Sequence, residues 1–173
     1  DHLHAVPVMV EYIRKLNIEN LIVVSPDVGG VKMASAYATA LGARMAIVVK
    51  QRKSATETEA SHIIGDVAGK NILIVDDLTE TAGTIASAAR ILRQNGALDI
   101  YAGVSHSVLT DLAVERLKDS DLKELISTNS VPLRLAPGSK ITALSVAGLL
   151  GEGIRRIHDD ESVSSLFEVK KPK

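Results

Sequence analysis

Two adjacent carboxylates followed by a small, hydroxyl-rich turn are the strongest chemical signal in this sequence. Asp76 and Asp77 come directly after the apolar run 72–75. The turn that follows consists of Thr79, Glu80, Thr81, Ala82, Gly83 and Thr84. Neighbouring carboxylates repel each other unless a cation or hydroxyl groups satisfy them, so a vicinal diol, with or without a divalent metal, is a natural partner. Backbone N–H groups and threonine hydroxyls at the start of a helix bind anions such as phosphate.

The order of these residues is complementary to a ribose 5-phosphate. We expect the carboxylates to bind the 2- and 3-hydroxyls and the helix start to bind the 5-phosphate. An isolated Asp-Asp pair before a threonine would more often be an ordinary acidic strand end. The order of the residues over the whole run 74–84 favours a sugar-phosphate site over an ordinary acidic strand end.

A second loop follows the apolar run 21–24 and has the composition of a diphosphate site. It contains Asp27, Val28, Gly29, Gly30 and Lys32. Paired glycines let the backbone approach a ligand closely and leave N–H groups free, and the lysine adds a cation. Asp27 would hold Mg²⁺, because this ion usually bridges phosphate oxygens to one or two carboxylates. Taken alone, Gly-Gly before a helix is more often a plain turn.

A basic run follows another apolar run, 46–49. It consists of Lys50, Gln51, Arg52 and Lys53, and it leads into a charged, threonine-rich stretch without apolar periodicity up to residue 60. We expect this stretch to be a mobile loop. Cations at the mouth of a phosphate-binding crevice could neutralise charge that develops on a transferring phosphoryl group. The alternative for an isolated basic run is a solvated surface.

Short apolar runs alternate with helical patterns, and this alternation indicates how the loops are positioned. We predict strands at 21–24, 46–49, 72–75, 100–105, 124–128 and 140–145. Helices are predicted at 31–41, 84–94, 110–118 and 146–158, with Thr110 as an N-cap and Gly96 as a left-handed C-cap. The pattern predicts a doubly wound, mostly parallel α/β sheet with helices on both faces, whose ligands lie beyond the carboxyl ends of the strands.

Composition excludes several classes of function. A chain of 173 residues that is 46% hydrophobic predicts one domain over 1–173, with 168–173 as a disordered tail. The net charge of −1 and dispersed basic residues argue against nucleic-acid or membrane binding. The absence of cysteine excludes disulfides and thiolate metal sites. No apolar run reaches the roughly 18 residues of a membrane span, so a cytoplasmic protein is expected.

The three loops together resemble those of the ribose-phosphate pyrophosphokinases, also called phosphoribosyl diphosphate synthetases. Residues 25–32 resemble the pyrophosphate loop of that family, 50–53 the start of its catalytic flexible loop, and 76–84 its ribose-phosphate loop. Residues 128–132, 147–158 and 161–167 are similar to its C-terminal half. The resemblance covers nearly the whole chain and implies a type I phosphoribosyltransferase-like fold.

The resemblance implies transfer of a diphosphoryl group from MgATP to the anomeric hydroxyl of ribose 5-phosphate, giving phosphoribosyl diphosphate and AMP. By position it assigns the ribose hydroxyls to Asp76 and Asp77, the 5-phosphate to Thr81, Gly83 and Thr84, magnesium to Asp27, and the transition state to Lys50 and Arg52. It also implies a homo-oligomer, a dimer or hexamer in the full-length enzyme, and a regulatory phosphate or ADP site at Ser162, Ser164 and Phe167.

The chain also departs from the family pattern. Glu80 stands where the family usually has aspartate, one methylene longer in a tight turn. The enzymes of the family carry an N-terminal half that supplies most ATP contacts, so we expect this chain to be a C-terminal catalytic domain. Two alternatives stay open: a type I phosphoribosyltransferase, and a non-catalytic regulatory or sugar-phosphate-binding subunit.

Overall fold

The computed structural model describes residues 2–51, 60–133, 135 and 138–167. Within these residues, seven strands form one sheet: β1 (Leu21–Ser25), β2 (Arg44–Gln51), β3 (Ala60–Ile64), β4 (Asn71–Thr79), β5 (Ile100–Ser107), β6 (Glu124–Thr128) and β7 (Ile141–Leu144). The helices are α1 (Val6–Lys15), α2 (Val31–Leu41), α3 (Gly83–Gln94), α4 (Asp111–Asp119) and α5 (Ala147–His158), followed by a 3₁₀ turn at Ser164–Leu166. The strand order is β3-β2-β1-β4-β5-β6-β7. Neighbouring strands are parallel except β2 and β3, which are antiparallel.

The central strands are buried on both faces. In β4, Ile72 and Ile74 pack with buried residues of α3 and α4, whereas Leu73 and Val75 pack with those of α1 and α2. Successive side chains of a strand point to opposite faces, so a strand covered on both sides must be apolar at every position. Burial on both faces therefore explains why the run 72–75 is apolar at every position. The predicted doubly wound sheet is confirmed.

The strand order creates a crevice between β1 and β4. These strands are parallel neighbours, with Val24 paired to Ile74. The helix that follows β1 packs on one face of the sheet, and the helix that follows β4 packs on the other. The two connections therefore diverge, and an open α/β sheet binds its ligands at such a point.

The predicted strand 72–75 extends further than its apolar run. Beyond Val75, the strand β4 continues to Thr79 because Asp76, Leu78 and Thr79 pair with β5. Asp76 and Asp77 therefore lie within the strand, and the prediction that they follow it was wrong. The apolar run marks only the part that is covered on both faces, since Asp77 and Leu78 are exposed.

The loop predicted at 50–60 begins and ends in strand. Lys50 and Gln51 belong to β2 and pair with Ser61 and Ala60 of β3. We did not predict β3, which lies at the sheet edge with Ile64 61% exposed and so lacks the two-sided apolar pattern. Residues 52–59, including Arg52, lie outside the described residues, as does the predicted tail 168–173.

Local signals at two helix ends are confirmed. Thr110 precedes α4, and its Oγ1 accepts a hydrogen bond from the Ala113 backbone N–H at 3.3 Å. Gly96 follows α3 with a φ of 83°, a conformation that glycine adopts without strain. No described helix has the length and apolar character that crossing a membrane requires.

The hydroxyl of Tyr37 generates a prediction about stability. Tyr37 is fully buried, its hydroxyl has no hydrogen-bond partner among the described residues, and burial raises the pKa of its phenol. An unpaired buried hydroxyl is destabilising, so Tyr37→Phe should stabilise the fold by about 1 kcal/mol. Urea unfolding followed by circular dichroism measures this change.

Tyr12 provides the matched control. Its hydroxyl donates to Glu124 Oε1 at 2.7 Å, so Tyr12→Phe should destabilise the fold by about 1 kcal/mol. Equal destabilisation by both substitutions would contradict the view that the Tyr37 hydroxyl is unpaired.

Candidate functional site

Three carboxylates lie toward the carboxyl edge of the sheet, Asp76 and Asp77 in the last part of β4 and Asp27 in the loop that follows β1. Asp77 donates its backbone N–H to Asp76 Oδ1 at 3.0 Å, which holds the two residues in a fixed relation. Burial, together with the negative charges of Asp77 and Asp27, raises the pKa of Asp76 from 3.8 to about 6. The contribution of Asp27 means that the β1 loop and β4 share one electrostatic environment. Such a group of negative charges favours a cation or a hydroxyl-rich ligand.

Among the residues that the structure describes, the donors that hold the carbonyls of the turn after β4 all lie on one side of it. Thr79 O accepts from the Val108 N–H at 2.9 Å, Glu80 O accepts from the Thr110 N–H at 3.3 Å, and Thr81 O accepts from Arg116 Nη1 at 3.1 Å. All three donors come from the segment that follows β5. Three successive carbonyls therefore point toward the β5 side of the turn.

The opposite face of the same peptides carries the donors. In a trans peptide the N–H points away from the carbonyl, so the N–H groups of Glu80, Thr81 and Ala82 point toward the β1 side. None of these N–H groups donates to another described residue. Ala82 has a φ of 54° and precedes the first residue of α3, whose positive end adds to the site. The exposed Glu80 and Thr81 thus present amide donors suited to phosphate, and the N–H of the buried Ala82, which has no described partner, follows them in the chain.

The side chains of this turn differ in their surroundings. Thr79 is buried, whereas Glu80, Thr81 and Thr84 are exposed and Gly83 is half-buried. The turn holds Glu80 by its main-chain carbonyl, to which Thr110 also donates through Oγ1 at 3.3 Å. The exposed Glu80 side chain makes no hydrogen bond or ion pair with a described residue, so the contacts that hold the turn at this position are those of its main chain.

The loop after β1 is organised by Asp27. Asp27 Oδ1 accepts the N–H groups of Gly29 at 2.8 Å and Gly30 at 3.1 Å, and Ser25 Oγ donates to the Asp27 carbonyl at 2.6 Å. The prediction that the paired glycines leave their N–H groups free was therefore wrong. A Cβ at position 30 would lie 2.8 Å from Ser25 Oγ, so the loop requires glycine there.

The outer residues of this loop face solvent. Val28 is 68% exposed, and Lys32 on the first turn of α2 makes no hydrogen bond or ion pair with a described residue. The described residues contain no group of three or more His, Asp or Glu side chains arranged to hold a metal ion. One oxygen of Asp27 is occupied by the glycine N–H groups, and its other oxygen is the candidate ligand for Mg²⁺.

The two other predicted groups are the basic run after β2 and the C-terminal residues 162–167. Lys50 is the last residue but one of β2, and Arg52 is outside the described residues. Ser164 donates its N–H to Ser162 Oγ, and Phe167 contacts the ring of His4 at a centroid distance of 6.3 Å. No described hydrogen bond or ion pair links this C-terminal segment to either crevice loop. Sequence reasoning also missed Val108 and Arg116, for which no local motif gives a signal.

Comparison with known proteins shows which protein family this chain is similar to. A family model described as the phosphoribosyl synthetase-associated domain matches residues 57–168. The ribose-phosphate pyrophosphokinase of Chlorobaculum tepidum is 44% identical over 171 residues, which cover 98% of this chain and 53% of that protein. That of Synechococcus elongatus is 47% identical over 170 residues, covering 96% and 51%. The chain thus spans about half the length of these curated relatives.

Solved structures agree with the predicted fold class. The crystal structure of phosphoribosylpyrophosphate synthetase from Mycobacterium smegmatis has a TM-score of 0.83 at 35% identity, over 92% of this chain and 52% of that one. An orotate phosphoribosyltransferase from Aeropyrum pernix has a TM-score of 0.57 at 21% identity, over 86% and 75%. The second likeness shows the fold alone, and the type I phosphoribosyltransferase-like architecture is confirmed.

The raised pKa of Asp76 predicts a pH-dependent effect of its replacement. The unfolded chain releases this proton near pH 3.8 and the folded chain near pH 6, so ionisation destabilises the folded state increasingly across that window. Asp76→Asn should therefore leave stability unchanged below pH 4. At pH 7 it should raise the unfolding free energy by roughly 1 kcal/mol, a value discounted for partial exposure.

Urea unfolding of both proteins from pH 3.5 to 8 measures this difference. Asp66→Asn, at an exposed position outside the crevice, serves as the control and should show no such trend. A constant difference between wild type and Asp76→Asn across the range would contradict the prediction.

Proposed function

This chain belongs to the ribose-phosphate pyrophosphokinase family, and we propose that it carries the ribose 5-phosphate and diphosphate sites of such an enzyme. The reaction transfers the diphosphoryl group of MgATP to the anomeric hydroxyl of ribose 5-phosphate and releases AMP. One observation carries the proposal: Asp76 and Asp77 lie in the strand that leads into a turn whose three successive carbonyls accept from the segment after β5, and the N–H groups of the same peptides have no partner among the described residues. That arrangement matches a sugar diol at one end of the ligand and a phosphate at the other.

The carboxylates and the turn bind opposite ends of the sugar phosphate. Asp77 is exposed at the crevice and accepts hydrogen bonds from the ribose hydroxyls, with half-buried Asp76 beside it. The N–H groups of Glu80, Thr81 and Ala82, with the start of α3, bind the 5-phosphate. Thr84 adds a hydroxyl at the first turn of that helix.

The β1 loop and the basic run serve the diphosphate. The free oxygen of Asp27 fits a Mg²⁺ that is bound mainly by phosphate oxygens. When bound, Mg²⁺ neutralises charge on the transferring group. Lys32 adds an exposed cation on the same loop, and Lys50 with Arg52 stabilises the transition state.

The reaction requires no covalent nucleophile on the protein. The anomeric oxygen of the sugar forms a bond to the β-phosphorus of ATP, and the bond from that phosphorus to the bridging oxygen of AMP breaks. The hydroxyl proton leaves to solvent. The protein therefore acts by positioning the two substrates and by meeting the charge of the transferred group, as is usual for phosphoryl transfer.

Two remaining parts of the proposal rest on the resemblance: a homo-oligomer, and a regulatory anion site at Ser162, Ser164 and Phe167. The cytoplasmic location stays an expectation from the sequence. A type I phosphoribosyltransferase would share the turn after β4, but it would consume phosphoribosyl diphosphate. A non-catalytic subunit would bind ribose 5-phosphate without forming AMP.

Calorimetric titration with ribose 5-phosphate in the presence of Mg²⁺ tests the sugar-phosphate site. We expect measurable binding by the wild-type chain and a loss of at least about tenfold in Asp77→Ala, because a hydrogen bond to a charged group contributes about 1.5–3 kcal/mol. Asp119→Ala, an exposed carboxylate at the end of α4, is the matched control and should bind normally. No binding by wild type, or unchanged binding by Asp77→Ala, contradicts the site assignment.

Two assays separate the three candidate functions: AMP formation from ATP and ribose 5-phosphate, and diphosphate release from phosphoribosyl diphosphate with a nucleobase. We expect AMP formation when the chain is supplied with the segment that its longer relatives carry. Binding of ribose 5-phosphate without AMP formation in that assay would support the non-catalytic subunit. Release of diphosphate from phosphoribosyl diphosphate with a nucleobase would support the phosphoribosyltransferase.

A further inference from the structure

Arg116 is the one side chain among the described residues that holds the Thr81 carbonyl. Its Nη1 lies 3.1 Å from Thr81 O, although the two residues are 35 positions apart in the chain. The Thr79 and Glu80 carbonyls accept main-chain N–H groups, which only a substitution to proline would remove. The orientation of the 81–82 peptide thus depends on a side chain, unlike that of the two peptides before it.

The backbone at Ala82 makes this dependence important. Ala82 has a φ of 54°, in the left-handed region, which is unfavourable by roughly 1 kcal/mol for a residue with a Cβ. A flip of the 81–82 peptide changes φ of residue 82 by about 180° and returns it to negative values that alanine prefers. The same flip would turn the Thr81 carbonyl toward the β1 side and the Ala82 N–H away from it. An anion would then meet an oxygen in place of a donor.

We propose that Arg116 is a positioning residue that prevents this flip and so keeps the Ala82 N–H aimed at the phosphate. The proposal rests on the proposed function of the turn as the 5-phosphate site. Gly83 fits the same geometry, since a Cβ there would lie 3.3 Å from Arg116 Nη1. The guanidinium acts on the ligand through the 81–82 peptide and does not itself contact the reacting atoms.

A simpler role for Arg116 would be a cation in the last turn of α4, where positive charge stabilises a helix. Lys118 shares that position on the same helix and makes no described contact with the turn. Lys118→Met therefore removes the same charge without touching the 81–82 peptide. It is the matched control for Arg116→Met, and Arg116→Lys keeps the charge with a shorter donor.

Binding of two probes, ribose 5-phosphate with Mg²⁺ and inorganic phosphate alone, tests the proposal in the full chain. Arg116→Met should weaken both by about five- to tenfold, the effect of one charge-assisted hydrogen bond at an exposed position. Arg116→Lys should recover part of the affinity, and Lys118→Met should stay within about twofold of wild type. Equal binding by wild type and Arg116→Met overturns the proposal and leaves the sugar-phosphate site intact.

A second measurement needs no ligand. In ¹⁵N relaxation of the free chain, Arg116→Met should lower the order parameters of the Thr81, Ala82 and Gly83 amides from rigid values of about 0.85 toward about 0.6. Thermal unfolding should show that the fold is retained. If wild type binds neither probe, the proposed function fails, and unchanged order parameters in Arg116→Met then overturn the positioning role as well.

A substitution of the strained residue separates positioning from simple structural support. Ala82→Gly removes the preference for negative φ, so the flip no longer relieves strain. The loss of affinity caused by Arg116→Met should therefore be smaller in the Ala82→Gly background than in wild type. An identical loss in both backgrounds would contradict the proposed mechanism.

Discussion

The parallel pairing of β1 with β4 determines where chemistry can occur in this protein. The register Val24 to Ile74 ends β1 beside the middle of β4, and the helices that follow the two strands pack on opposite faces of the sheet. A crevice opens between the connections that follow β1 and β4, because one connection leads to each face of the sheet. Asp76, Asp77 and Asp27 share one electrostatic environment at this crevice, and the turn whose amide N–H groups lack a described partner follows β4 directly. Each would be an ordinary surface feature if the strand order were different.

Sequence reasoning succeeded where burial was two-sided and failed where one element depended on a distant one. The apolar runs of β1 and β4 predicted a doubly wound sheet, because strands covered on both faces are apolar at every position. The same rule placed the end of the predicted strand at Val75. Residues 76–79 pair with β5 through their backbone, and backbone pairing leaves no hydrophobic pattern in the sequence. The edge strand β3 was missed for the same reason. The contact of Arg116 with Thr81 spans 35 positions and has no local pattern at all.

The crevice concentrates features that are unfavourable for the folded chain in isolation. Burial beside two other carboxylates raises the pKa of Asp76, and Ala82 has a backbone conformation that alanine disfavours. Both are local conflicts in an otherwise consistent core, and such conflicts are expected at functional positions. Hydroxyl groups or a metal ion brought by a ligand would reduce the charge repulsion at Asp76. A phosphate would bind the turn in the backbone conformation that Ala82 already has. The stability lost at the crevice is therefore linked to binding.

The carbonyl contacts of the turn after β4 also bear on how the protein folds. Their donors, Val108, Thr110 and Arg116, lie in and before α4, so the turn and its partners are distant in sequence. Non-local contacts form after the chain segment between them has closed. We therefore expect the turn after β4 to reach its final shape only after α4 docks, late in folding. A peptide of residues 74–84, or the same run grafted onto another fold, would carry the motif without its shape.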